Sequence, residues 1–139
     1  MIVVDTSVVV SGLRSPAGAS AEVLRLVLNR EIAAAASVAL ILEYESVATR
    51  PAHLAAAGLE HRQVLDVIDA LAAAMRPTPI RWRLRPMSGD PGDDFVLEAA
   101  FNAGASSIVT GNLRDLQPAS VKIGIRALTP AMLLSELER

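Results

Sequence analysis

Carboxylates recur at places in the chain where they could act together on one ligand. Asp5 directly follows the apolar run 2–4, and Asp115 comes shortly after the apolar run 107–110. Asp94 lies at the start of a predicted helix, and Glu43 lies on the apolar stripe of another. A carboxylate on an apolar stripe is costly unless it is paired or holds a cation. Because the chain has a single lysine, Lys122, these four positions point to a cation site.

The residue types indicate which cation such a site would hold. Carboxylates that leave room for water and phosphate suit Mg²⁺ or Mn²⁺. A zinc site is disfavoured, because the chain has no cysteine and only two histidines, His53 and His61, which are expected at the surface. One alternative stays open in the same helix: Asp93 could replace Asp94 as a ligand, because either could be the helix N-cap. Glu98, one turn further on, is expected to be a solvated residue and not a ligand.

Strands and helices alternate along the chain. Apolar runs predict strands at 2–4, 32–36, 107–110 and 121–127, and an alternating segment predicts another at 78–84. Helical spacing and caps predict helices at 19–29, from Ser37 to about Thr49, on both sides of Gly58, from Asp93 or Asp94 to Gly104, and from Pro130. This order predicts an α/β fold of three layers, with a central, mainly parallel sheet flanked by helices.

The predicted sheet explains why the acids matter. Ligands of parallel α/β sheets bind beyond the carboxyl ends of the strands. Asp5 follows the first strand, and Asp115 is predicted in the loop that begins with Gly111 and Asn112. Both carboxylates would therefore lie at the same edge of the sheet.

Composition limits the class of protein. A chain of 139 residues, 52% of them hydrophobic and 20% charged, predicts one globular domain spanning 1–139. The longest apolar run, 32–42, is too short for a membrane helix. The start has no positive region ahead of its apolar stretch, so we expect no secretory signal and a cytoplasmic location. A net charge of −2 offers no basic surface for nucleic acid, although a bound cation would recruit phosphate without one.

One local cluster of positive charge lies between 81 and 85. It contains Arg81, Arg83 and Arg85 around the sole tryptophan, Trp82. The cluster either contacts RNA or forms a solvated strand edge that discourages pairing. Arg14, predicted in a loop after the first strand, has the same two interpretations.

Four segments, in this order and spacing, resemble the PIN-domain family, and within it the PIN-family toxins of bacterial toxin–antitoxin pairs. The resemblance covers nearly the whole chain. The segments are Asp5-Thr6-Ser7, Leu42-Glu43-Tyr44, the run from Asp90-Pro91-Gly92-Asp93-Asp94 to Ala99, and Thr110-Gly111-Asn112-Leu113-Arg114-Asp115-Leu116.

The resemblance implies a metal-dependent endoribonuclease that leaves 5′-phosphate and 3′-hydroxyl ends. Asp5, Glu43, Asp94 and Asp115 would surround one or two Mg²⁺ or Mn²⁺ ions. Ser7 and Asn112 would hold ligands or the scissile phosphate by hydrogen bonds, with Thr110 in support. The implied partners are RNA, a cognate antitoxin protein and a second copy of the chain in a homodimer. Many relatives have aspartate at the position of Asn112, so this site is one charge weaker.

Two other functions compete with the nuclease. A degenerate domain could bind RNA or a partner protein without cleavage, and Asn112 leaves room for that interpretation. An aspartyl-phosphate enzyme is disfavoured, because Ser7 stands where such phosphatases have a second aspartate.

Overall fold

The computed structural model describes residues 1–84 and 91–138, in which short strands alternate with helices. The strands are β1 (Ile2–Val4), β2 (Ala35–Ala36), β3 (Arg76–Pro77), β4 (Ser107–Val109) and β5 (Arg126–Leu128). The helices are α1 (Thr6–Arg14), α2 (Ala19–Leu28), α3 (Val38–Ala48), α4 (Pro51–Ala57), α5 (His61–Ala74), α6 (Pro91–Ala103), α7 (Leu113–Lys122) and α8 (Pro130–Leu137).

All strand pairs in the described residues are parallel. β4 lies between β1 and β5, and β2 pairs with β3. A single bridge from Ile2 to Ala34 joins the two groups, so the strands run in the order β3-β2-β1-β4-β5. Val3 and Ile108 are fully buried, as a parallel strand covered on both faces requires. The predicted α/β fold with a mainly parallel sheet is confirmed.

Local signals in the sequence set several helix ends. The Ser37 hydroxyl accepts a hydrogen bond from the Leu40 N–H (3.1 Å) and begins α3, as predicted. Thr129 caps α8 in the same way. Gly58 and Gly104 end α4 and α6 with positive φ angles of 67° and 64°, which glycine adopts at little cost. α6 packs against β1, β2 and β4, and its N-terminus reaches the carboxyl edge of the sheet.

Three predictions of local structure are wrong. Arg14 is the last residue of α1 rather than part of a loop, because the branched run 8–10 packs as a helix against α2 and α3. Asp115 lies in the first turn of α7 rather than in a loop; Pro118 lies inside this helix, and an interior proline argues against a helix in the sequence. The predicted strand 121–127 begins too early, because α7 continues to Lys122 and β5 starts only at Arg126.

The segment 78–84 is not a strand either. Pairing with β2 by Arg76 and Pro77 ends with a hydrogen bond from the Thr78 N–H to the Ala36 carbonyl oxygen (3.0 Å). Beyond them, the side chain of Asn102 accepts the backbone N–H groups of Arg81 and Trp82 in place of a neighbouring strand.

Two parts of the predicted motifs lie outside the described residues: Arg85 of the basic cluster, and Asp90 at the start of the third quoted segment. Among the helices that are described, none has the length and apolar character needed to cross a membrane.

Candidate functional site

The ends of two neighbouring strands bring Asp5 and Thr110 together. Val4 and Val109 are partners in the last register of the β1–β4 pair, and the next residues are Asp5 and Thr110. The Asp5 N–H donates to the Val109 carbonyl oxygen (2.8 Å), which extends the pairing by one hydrogen bond. The sheet therefore holds both residues at its carboxyl edge, where ligands of parallel sheets bind.

Two hydroxyl groups hold the Asp5 carboxylate. Ser7 Oγ and Thr110 Oγ1 each donate a hydrogen bond of 2.7 Å to the same oxygen, Oδ2. Each hydroxyl in turn accepts a backbone N–H, from Gly111 (2.9 Å) and Asn112 (2.9 Å) respectively. A hydroxyl has one proton, so these contacts direct both protons at Asp5. Among the described residues no donor reaches Oδ1, so that oxygen is the one left for a ligand.

A cavity of about 870 Å³ lies beside Asp5. α1 forms one wall, because the lining residues Ser7, Val10 and Arg14 recur at helical spacing. At a rise of 1.5 Å per residue, this wall extends roughly 13 Å from Asp5 to Arg14. The cavity therefore has a carboxylate end, near Asp5, and a second end near Arg14.

α3 contributes Glu43 to the cavity wall. Glu43 is half-buried and lines the cavity, whereas Glu45 lines a different, mostly apolar cavity. The next residue, Tyr44, is fully buried, and its hydroxyl donates to the carbonyl oxygen of Val4. Burial raises the pKa of the Tyr44 phenol, and the charge of Asp5 raises it further. Tyr44 thus ties α3 to β1 next to Asp5, a role that the sequence interpretation missed although Tyr44 lies in a quoted segment.

The first turn of α6 carries the adjacent carboxylates Asp93 and Asp94. Asp93 is half-buried and lines the cavity together with Asp5 and Glu43. Asp94 is 3% exposed and is not among the described residues of the cavity wall. The helix dipole favours negative charge at both positions. Of the two, Asp93 therefore lines the cavity, and Asp94 is its buried neighbour in the same helical turn.

Asn112 and Asp115 form a pair at the rim. Asn112 lines the cavity, and its Nδ2 donates to Asp115 Oδ2 over 3.0 Å. Asp115 itself is exposed and is not among the described lining residues. The structure thus brings Asp5, Ser7, Glu43 and Asn112 to one cavity, with Thr110 beneath Asp5, and connects Asp115 to it only through Asn112.

The second end of the cavity is basic, and two of its residues were not predicted as functional. Arg14, Arg50 and His53 line it. Arg14 Nη2 lies 3.0 Å from His53 Nδ1, and because arginine only donates, Nδ1 is the acceptor. His53 was expected on the surface, whereas it is half-buried in this wall. We call these three residues the basic end; only the packing of α4 against α1 reveals it.

The remaining predicted residues lie elsewhere. Arg81 and Arg83 are exposed and do not line the cavity in the described part of the chain. Glu98, predicted to be solvated, is 2% exposed, and its Oε2 accepts a hydrogen bond from the Leu84 N–H (3.2 Å).

The side chains around the cavity offer oxygen ligands of the kind that Mg²⁺ and Mn²⁺ take. Within residues 1–84 and 91–138, no three Asp, Glu or His side chains form a closed metal-binding group. Mg²⁺ does not require one, because it keeps several waters and often binds through one or two carboxylates plus substrate phosphate. Asp5, Glu43 and Asp93 supply such carboxylates around one cavity. Thr6 belongs to the same wall, and its buried Oγ1 has no hydrogen-bond partner among the described residues. The residue types fit the cation.

Comparison with known proteins gives one match. A family model described as PIN domain matches residues 1–114, which include every proposed ligand position except Asp115. No curated protein and no solved structure is significantly similar to the chain.

Proposed function

The chain belongs to the PIN-domain family, and from that membership and the geometry of the cavity we propose that it is a metal-dependent endoribonuclease. PIN domains are in general nucleases and usually use divalent metal ions. One observation carries the proposal. The Asp5 carboxylate is held by two hydroxyls in a cavity that it shares with Glu43 and Asp93.

Asp5, Glu43 and Asp94 or Asp93 would hold one or two Mg²⁺ or Mn²⁺ ions, with Asp115 assisting from the rim. When bound, the cation supplies positive charge that stabilises the phosphodiester as negative charge develops on it. Ser7 and Thr110 keep the Asp5 carboxylate in one orientation, so no reorganisation is needed when the ligand arrives. Asn112 has an amide that can donate to phosphate as well as to Asp115.

The basic end would bind the substrate backbone away from the scissile bond. Arg14 and Arg50 can contact phosphate oxygens, and His53 holds the Arg14 guanidinium in place. Contacts of this kind orient a nucleic acid without reading its sequence. A net charge of −2 does not oppose this role, because two arginines and a histidine lie together at one end of the cavity.

We further propose that the chain is the toxin of a toxin–antitoxin pair, with a cognate antitoxin protein and a homodimer as its assemblies. This proposal rests on the resemblance of the four sequence segments. Induced expression in a bacterial host is expected to slow growth, and Asp5→Asn is expected to restore it at equal protein levels.

The experiment that tests the nuclease uses purified protein and a pool of structured and unstructured RNA. Cleavage is measured with Mg²⁺, with Mn²⁺ and with chelator. We expect metal-dependent cleavage that Asp5→Asn abolishes. Asp69→Asn is the matched control, because Asp69 is exposed on α5 and does not line the cavity, so it should cleave like the wild type.

A second candidate function is RNA binding without cleavage. Asn112 in place of the aspartate common in relatives favours it, as does the open arrangement of carboxylates in the described residues. Binding of RNA with no cleavage under either cation would support this candidate. Cleavage that persists in Asp5→Asn would contradict the proposed role of the carboxylate end.

A further inference from the structure

A short segment next to α6 exposes the only tryptophan of the chain. Trp82 is 66% exposed, although tryptophan carries a large apolar surface that proteins usually bury in part. Arg81 and Arg83 on either side are exposed too, and in the described part of the chain neither forms a salt bridge. We call residues 81–84 the α6 strap.

Asn102 holds the strap in place while the ring stays outside. Its Oδ1 accepts the N–H groups of Arg81 (2.8 Å) and Trp82 (2.9 Å), and its Nδ2 donates to the carbonyl oxygens of Trp82 and Glu98 (both 2.8 Å). Both backbone polar groups of Trp82 are therefore bound by one side chain. The backbone that carries the ring is fixed before any ligand arrives, which lowers the entropy cost of ordering this segment on binding.

Glu98 anchors the other end of the strap. Its buried carboxylate accepts the Leu84 N–H (3.2 Å). Glu98 and Asn102 are four residues apart and so lie on one face of α6, which also carries Asp94. The Glu98 carboxylate and the Asn102 amide thus hold the strap against α6, although its aromatic ring, that of Trp82, contributes little to the core.

The strap and the aspartates at the start of α6 are positioned by the same helix. Asn102 is eight residues after Asp94, which places it about 12 Å further along the axis of α6. That distance corresponds to a few nucleotides of one strand. An RNA bound at the carboxylates could therefore extend to Trp82.

We propose that Trp82 is a stacking platform for an unpaired base of the RNA, with Arg81 and Arg83 contacting the flanking phosphates. An exposed aromatic ring between cations is the combination that binds single-stranded nucleic acid. The bases of a duplex are stacked on each other and are not available to the ring. The inference rests on the proposed function, because it takes RNA as the ligand, and it adds that the strand is unpaired at this point.

The sole tryptophan allows a direct test. Trp82 fluorescence is recorded while a short oligoadenylate, or the same strand annealed to oligouridylate, is added in the presence of chelator. We expect quenching by the single strand and little change with the duplex. Because chelator prevents metal-dependent cleavage, this readout does not depend on nuclease activity, and a protein that quenches but never cuts RNA would contradict only the proposed function.

Affinity of the variants completes the test, measured by anisotropy of the labelled oligoadenylate. Stacking of one base corresponds to a loss of about five- to 150-fold for Trp82→Ala, and Trp82→Phe should recover most of it. Asn102→Ala, which releases the strap, should also weaken binding. Leu137→Ala is the control, because Leu137 is an exposed apolar residue (53%) at the end of α8.

Several results would overturn the proposal. These are unchanged Trp82 fluorescence with the single strand, equal quenching by the duplex, or equal affinities for Trp82→Ala and wild type. Unchanged fluorescence with every RNA would instead favour the strap as a contact surface for a protein.

Discussion

Asp5 occupies a helix N-cap but does not cap the helix. An aspartate at this position normally accepts a hydrogen bond from a backbone N–H of the first turn. Here the side chain makes no such bond and accepts two hydroxyls instead. The cap bond, which would stabilise the fold by about 1 kcal/mol, is given up. Asp5 therefore serves the cavity rather than the helix, and Asn in its place should leave the fold intact.

The two aspartates at the start of α6 differ in burial, and a pair of variants tests which of them binds the cation. We expect Asp94→Asn to weaken Mn²⁺ binding more than Asp93→Asn, because the attraction between a buried carboxylate and a cation is less screened by water. Calorimetric titration with Mn²⁺ measures both variants against wild type, with Asp69→Asn as control. If Asp93→Asn loses Mn²⁺ binding while Asp94→Asn keeps it, the ligand role belongs to Asp93.

At the scale of elements, the site depends on how α3 meets the sheet. Ser37 begins α3 at the end of β2, Tyr44 bonds to the last residue of β1, and Glu43 is thereby carried to the cavity. α1 and α6 bring their N-termini to the same edge. The starts of α1 and α6 thus meet the middle of α3 and the end of β1 at one cavity, although each element is set by local signals of its own.

The hydrogen bond from Tyr44 to β1 makes the free energy of unfolding depend on pH in the alkaline range. The folded protein keeps the Tyr44 proton above the ordinary phenol pKa of 10.0, because its folded pKa is raised, whereas the unfolded chain releases it. The unfolded state then binds fewer protons, so the free energy of unfolding falls above pH 10 by up to about 1.4 kcal/mol per pH unit. Below pH 10 this contribution is constant.

Tyr44→Phe is expected to remove this part of the pH dependence. It should also cost about 1–3 kcal/mol at neutral pH, because the Val4 carbonyl oxygen loses its donor. Urea unfolding of both proteins at neutral and alkaline pH measures the two effects. The same loss of stability above pH 10 in the variant and in wild type would contradict the assignment to Tyr44.

At the scale of the whole molecule, a cation that binds only the folded state must stabilise the fold. With Mn²⁺ at a hundred times its Kd, the gain is about 2.7 kcal/mol, or a rise in Tm of about 10 °C for a chain of this size. We expect Asp5→Asn to lose the rise and Asp69→Asn to keep it, in thermal melts with Mn²⁺ and with chelator. A rise of equal size in Asp5→Asn would mean that the ion binds elsewhere.

The basic end is built by segments that lie far apart in the chain. Arg14 and His53 are 39 residues apart in the chain, and no motif connects them. They meet because the branched residues of α1 pack as a helix against α4 and α3, although branched residues often favour strands. The segment 81–84 behaves similarly, since a side chain from α6 replaces the predicted strand neighbour.

The sequence by itself determined the parallel α/β order apart from α1 and α7, the caps at Ser37 and Thr129, and the place of Asp5 after the first strand. These follow from apolar spacing, turn residues and the direction of parallel strands, which act over a few residues. The tertiary structure alone decided that Thr110 fixes Asp5 from 105 residues away, that Arg50 and His53 join the cavity, and that Asp115 reaches it only through Asn112. The physical reason is that these contacts join distant segments, and packing of whole elements determines which side chains meet.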